Sequence, residues 1–132
     1  RPYDLDERLE DYLLYSAYKA KGDKLTSEKF AAKVMAYKHP KLSEENSKLY
    51  LQITTLQQHG KQLEAEDLLT QRLKESPESN YIKWVAAKLQ NSATAKEIEQ
   101  DIFSSSGSTM AYDTEFKDKS FSLLLDFING MK

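Results

Sequence analysis

Cysteine is absent from the 132 residues. That excludes disulfides, thiolate nucleophiles and thiolate metal ligands, and it leaves the compartment open. No apolar run approaches the ~20 residues needed to span a bilayer. Neither sign of charge dominates: 19 Lys plus Arg stand against 21 Asp plus Glu, a formal net charge of −2. A basic nucleic-acid-binding arm is therefore excluded. Proline occurs three times and glycine four times, and both punctuate long amphipathic segments. Hydrophobic residues make up 39% and charged residues 30%, the mix of a soluble domain with a modest core. The length fits one domain, residues 1–132. The chain opens at Arg1-Pro2 with no Met or signal-type apolar stretch. A removed leader or a longer parent chain is the expectation, with either a cytoplasmic or an exported setting.

Catalytic patterns are missing as well. There is no His-Glu-x-x-His helix, calcium loop, Gly-rich phosphate loop or Gly-x-Ser-x-Gly elbow. His39 and His59 stand beside helix ends, where imidazoles meet terminal carbonyls. The carboxylates, such as Glu64, Glu66-Asp67 and Glu97, alternate with Lys and Gln and read as solvated helix faces. The expectation is a non-enzyme with no catalytic residue, no metal and no cofactor.

What is present is helical. Leu, Ala, Lys, Glu and Gln dominate and no period-2 strand stands out,. The first helix is predicted over 5–21, with Leu5, Leu9, Tyr12, Leu13, Ala17 and Ala20 on one face, Leu14, Tyr15 and Tyr18 extending the apolar surface around the side, Asp4 as its cap and Gly22 as its terminator,. A second is predicted over 27–38, with Phe30, Val34 and Tyr37 inward and Pro40 as its stop,. The third (44–58) is capped by Ser43 and ended by Gly60; the fourth covers 62–75. Ser76-Pro77-Glu78 reads as the start of the fifth, which carries Tyr81, Ile82, Trp84, Val85 and Leu89,. Thr94 with Glu97 suggests a capping box for the sixth,. A Ser/Gly loop over 104–109 precedes a last helix over 115–130, with Phe121, Leu124, Leu125 and Ile128 in one stripe.

The chain also repeats itself. Tyr12 and Tyr50, Gly22 and Gly60, Ser27 and Ala65, and Phe30 and Leu68 are each 38 residues apart, and Pro40 and Pro77 are 37 apart. A third, degenerate unit places Trp84 34 residues after Tyr50, with no Gly at its inner turn. The unit from Asn46 to Ser79, with Gly60, Ala65, Leu69 and Pro77, resembles a tetratricopeptide repeat, a ~34-residue helix-turn-helix. The unit from Arg8 to Glu45, with Leu14, Ala17, Tyr18, Gly22 and Pro40, is similar but four residues longer. One departure stands in both: the family's small residue in the first helix is Tyr15 in one unit and Ile53 in the other.

The resemblance implies an all-α, right-handed solenoid of about seven helices: hairpins over 5–40 and 43–77, a degenerate third over 78–103, and a final helix capping the array. It implies a concave wall built from the first helix of each hairpin. On that wall Tyr12, Tyr50 and Trp84 would form an aromatic ladder flanked by Ser16, Thr54 and Lys88. A protein or peptide partner follows, without nucleic acid or membrane insertion. Of the three rings, Trp84 is expected to be the most structural and Tyr50 the most exposed. Heat-shock chaperone tails are not expected, because positions where their clamp needs Lys and Asn hold Tyr12 and Ser16, with Leu51 near another. The competing reading is an accessory helical domain of a larger enzyme or surface lipoprotein, packed against its parent chain.

Overall fold

The computed structural model describes residues 7–37, 48–105 and 122–129. Among them all regular structure is helical: α1 (Arg8–Lys21), α2 (Lys24–Met35), α3 (Leu49–Gln58), α4 (Gln62–Glu75), α5 (Asn80–Leu89), α6 (Thr94–Ser105) and α7 (122–129). The protein is all-α. No helix among the described residues is long and apolar enough to cross a membrane. The chain divides into two compact units, one of Arg1–Ser43 with Tyr50–Leu69 and one of Glu44–Leu49 with Thr70–Lys132.

In the first unit α1 packs along α2. Gly22 ends α1 at φ 83°, and its N–H donates to Lys19 O at 3.1 Å while Asp23 N–H donates to Tyr18 O at 3.0 Å. This paired closure satisfies two carbonyls the helix would otherwise leave bare. Asp23 then caps α2, accepting the Thr26 N–H at 3.2 Å. That is why α2 begins at Lys24, three residues ahead of the expected Ser27. The buried face of α1 is Arg8, Tyr12 and Tyr15. The expected stripe is corrected: Leu13 is 42% exposed, and Ala17 and Ala20 are exposed too; of the lateral residues, Leu14 is 40% exposed while Tyr15 is buried. Tyr15 takes the inward place because its ring meets Tyr12 edge-on at 5.5 Å and its hydroxyl donates to Gln58 Oε1 at 3.2 Å. Leu5, Asp4, Pro40 and Ser43 lie outside the described residues.

A polar cluster sits inside this unit. Arg8 and Gln52 are 1% and 3% exposed. Arg8 Nη1 donates to Gln52 Oε1 at 3.0 Å, and its guanidinium lies 4.2 Å from the Tyr37 ring centroid. Gln52 Nε2 donates to the carbonyls of Met35 and Tyr37 at 3.1 and 3.0 Å. One buried amide thus serves the end of α2, where the chain leaves the helix earlier than the expected residue 38.

In the second unit α5 packs on α6. The start of α5 differs from expectation. Ser79, not Ser76, is its cap, accepting the Ile82 N–H at 3.4 Å. Ser79 N–H donates to Ser76 O at 3.1 Å, so Ser76–Ser79 closes a turn with Pro77 at its second position, where a fixed φ is favoured. Thr94 is likewise inside α6 rather than capping it, and its N–H donates to Ser92 Oγ at 3.2 Å. Ser104 and Ser105, expected in the loop, are helical; Ser106–Thr109 and Glu115–Phe121 lie outside the described residues. In α7, Leu124 and Ile128 are buried.

Candidate functional site

The turns supply a common register. Gly60 (φ 74°) ends α3 with Gly60 N–H donating to Gln57 O at 3.1 Å and Lys61 N–H to Leu56 O at 2.9 Å. Asn91 (φ 54°) follows α5 with Asn91 N–H donating to Lys88 O at 3.1 Å and Ser92 N–H to Ala87 O at 3.0 Å. The bonding pattern matches that at Gly22. Asparagine is the non-glycine residue best suited to a left-handed cap, and it does in the third pair what glycine does in the first two.

Counted from these caps, the seventh residue back is Tyr15, Ile53 and Trp84, all at most 3% exposed. The tenth residue back is Tyr12, Tyr50 and Tyr81. The partner of Tyr12 and Tyr50 in the third pair is therefore Tyr81, and Trp84 belongs with the buried Tyr15 and Ile53. The small buried residue after each turn is Ser27 and Ala65, each five residues past its cap, and Ala95, four residues past Asn91.

Tyr12, Ser16, Tyr50 and Thr54 belong to the first unit, Trp84 and Lys88 to the second. Tyr12 is 2% exposed and Trp84 fully enclosed, so neither ring offers a face to a ligand in this structure. Trp84 Nε1–H donates to Glu99 Oε2 at 2.9 Å, tying α5 to α6. Tyr50 is half-buried. Burial pushes its phenol above the ordinary tyrosine range, with neighbouring Tyr12 adding to the effect,. Ser16 and Thr54 are half-buried, and the Thr54 hydroxyl donates to Leu51 O at 3.1 Å within its own helix. Lys88 is half-buried and lines a cleft of about 690 Å³ with Asn91, Ser92, Lys96, Glu99 and Asn129.

A second cleft, of about 420 Å³, lies in the first unit at the α1–α2 turn and is lined by Lys19, Gly22, Lys24, Ser27, Glu28 and His59 among others. His59 follows the end of α3. Its Nδ1 lies 2.8 Å from Thr55 O and its Nε2 3.1 Å from both Glu28 carboxylate oxygens. The helix-end carbonyl contact is the one expected for this residue; the Glu28 contact is not visible in sequence. His39 lies outside the described residues. No group of three or more His, Cys, Asp or Glu among the described residues is placed to hold a metal ion.

The chain matches no protein-family model, and comparison with curated proteins and with solved structures gives no match.

Proposed function

We propose that this chain is a non-catalytic interaction domain of tetratricopeptide-like helical hairpins, holding a protein or peptide segment. The observation that carries the reading is the threefold recurrence of one turn, with the same paired carbonyl closure and a tyrosine ten residues before it. Three units of one construction are what a repeat array needs. Large residues at Tyr15, Ile53 and Trp84, where the family keeps a small one, would space the helices of each hairpin more widely. In this reading α7 covers the end of the array, and heat-shock chaperone tails are not the segment bound.

Of the ladder, Tyr50 is the ring left to act as an anchor, with Ser16 and Thr54 beside its register in the first unit and Lys88 in the second. Leu25 and Leu63 add an apolar edge. Each is the third residue after its turn glycine, and they are 76% and 77% exposed. That edge also suits the competing reading, an accessory domain packed against a parent chain. The test is a pull-down with quantitative mass spectrometry using the wild type, Tyr50→Ala and a Leu25→Lys/Leu63→Lys variant. A groove binder loses its captured partner about 30-fold with Tyr50→Ala, an anchor residue being worth ~2 kcal/mol. Loss only with the lysine variant moves binding to the edge. Capture unchanged by both variants, with both still folded by circular dichroism, overturns the proposal.

A further inference from the structure

The outward face of α1 is apolar along its middle. Opposite the buried Arg8, Tyr12 and Tyr15, helical spacing puts Glu10, Leu13, Leu14, Ala17, Ala20 and Lys21 on one side, and all six are exposed,. A single exposed leucine is ordinary on a protein surface. Two adjacent leucines, with two alanines within the next two turns and no charge between Glu10 and Lys21 on that side, are not a solvated helix face. The contrast is α4, a helix of the same 14 residues, whose exposed residues are all polar except Leu63. A contiguous apolar stripe with a polar rim is what a helix presents to another helix.

The charges at the two ends of the stripe have opposite sign. Glu10 lies in the first turn of α1 and Lys21 in the last. Lys21 Nζ is 5.7 Å from the Tyr18 ring centroid, which keeps the ammonium beside the stripe,. The helix dipole favours each sign at its end, so the segregation has a local cause. The spacing goes further than the dipole requires. Glu10 and Lys21 are centred on the same point of the helix as Leu14 and Ala17, midway between Tyr15 and Ser16. Turning a second α1 end over end about that point, face to face, sets Glu10 of each copy against Lys21 of the other. It also lays Leu14 of each copy over Ala17 of the other, with Leu13 beside Ala20. Large side chains over small ones allow a close helix–helix approach, ~8–10 Å between axes, and a two-fold axis makes every contact twice. A parallel pair would instead set Glu10 against Glu10 and leucine against leucine.

We propose that this face docks a second copy of the chain, α1 against α1 in antiparallel two-fold pairing, with Glu10 opposite Lys21 and Leu14 packed on Ala17. One helix face is a small interface, so the pair is a weak dimer, and its exposed ion pairs make it sensitive to salt. Tyr50 neighbours Tyr12 on the opposite, buried side of α1, so the partner-binding reading and this one can fail separately.

The test is sedimentation equilibrium of the intact 132-residue chain at low and high salt, up to about 1 mM, the range of weak association. A reversible monomer–dimer equilibrium that salt weakens is expected. Leu14→Lys should weaken it about tenfold or more, since the two-fold axis places the new charge in the contact twice. Glu10→Lys should weaken it roughly fivefold. Glu10→Lys/Lys21→Glu should restore it, because the reversed charges again face their opposites. All three positions are exposed, and circular dichroism checks that the helices persist. The absence of cysteine makes the orientation testable as well. In a mixture of Leu14→Cys and Ala17→Cys chains, oxidation should favour the disulfide between the two variants over either variant with itself. A chain that stays monomeric throughout, as it would with α1 covered by another segment, overturns the proposal. So does a dimer indifferent to both Leu14→Lys and Glu10→Lys, or one in which Leu14→Cys chains cross-link preferentially to themselves, the mark of parallel pairing.

Discussion

Replacing Gln52 with leucine removes three hydrogen bonds at once while keeping the side-chain volume close. Gln52 Oε1 accepts from Arg8 at 3.0 Å, and Nε2 donates to the carbonyls of Met35 and Tyr37 at 3.1 and 3.0 Å. The two amide–carbonyl bonds contribute about 0.5–1.5 kcal/mol each, and the bond from the buried guanidinium about 1.5–3. The sum is roughly 2.5–6 kcal/mol, of which leucine's added apolar burial returns ~1–2. Gln52→Leu should therefore cost about 0.5–5 kcal/mol, with a central value near 3, a large part of a domain's total stability. Gln52→Glu separates the contributions: it still accepts from Arg8 but turns a carboxylate oxygen toward two carbonyls, so it too should destabilise. The Arg8→Leu/Gln52→Leu pair should cost less than the sum of the singles, because the buried charge leaves together with its acceptor. Urea denaturation followed by circular dichroism gives all four values, with the transition slope checked for constancy. A loss below about 0.5 kcal/mol for Gln52→Leu, or strict additivity in the cycle, would show that the cluster is solvated and that the reasoning from burial is wrong.

The other predictions concern the turns, the tryptophan and one carboxylate. Gly22→Ala and Gly60→Ala should each cost about 1–2 kcal/mol, since a Cβ meets nothing within 4 Å at either site and only the left-handed backbone resists it,; Asn91→Gly should be neutral or slightly stabilising in the same melts. Trp84→Ala should cost ~3–5 kcal/mol as a deleted core aromatic, and Trp84→Phe measurably less, with the Glu99 bond as the main loss; equal effects would contradict the enclosed placement of the ring. Burial, with Glu7 and Glu10 nearby, raises the Asp11 carboxyl above its ordinary value against the pull of Lys33. A raised folded value means ionised Asp11 costs stability at neutral pH, and that cost vanishes once pH falls below the ordinary value of 3.8,. Asp11→Asn should thus raise the midpoint of thermal unfolding at pH 7 and lose that advantage near pH 3; an advantage that grows on acidification would reverse the sign of the argument.

Helix existence was legible in composition and spacing, and α4 was placed to the residue, because Gly60 before it and Ser76-Pro77 after it are strong punctuation. The exact faces were harder. The α1 stripe read from hydropathy includes Tyr12, which is buried, with Tyr15 on its flank, buried too, but it also includes Leu13 and Ala17, which are exposed, and leaves out the buried Arg8. Hydropathy scores arginine as outward. It cannot register a guanidinium that stacks on Tyr37 and donates to a glutamine 44 residues away.

The aromatic ladder shows how one residue type redirects a functional reading. With glycine taken as the marker of each inner turn, the third unit had no marker, and the 34-residue spacing from Tyr50 led to Trp84. Asn91 at φ 54° restores the marker and moves the register by three residues, close to one helical turn. A shift of nearly one turn keeps the same side of the helix, which is why the displaced assignment still fell on an aromatic residue. It nevertheless exchanges a fully enclosed indole for the half-buried Tyr81. Tyr12, Tyr50 and Tyr81 are then three copies of one position with unequal burial, Tyr12 enclosed and the other two half-buried. Accessible aromatic surface at that position thus resides in Tyr50 and Tyr81, so the partner-binding reading turns on those two phenols, and Tyr81→Ala belongs beside Tyr50→Ala in the capture experiment.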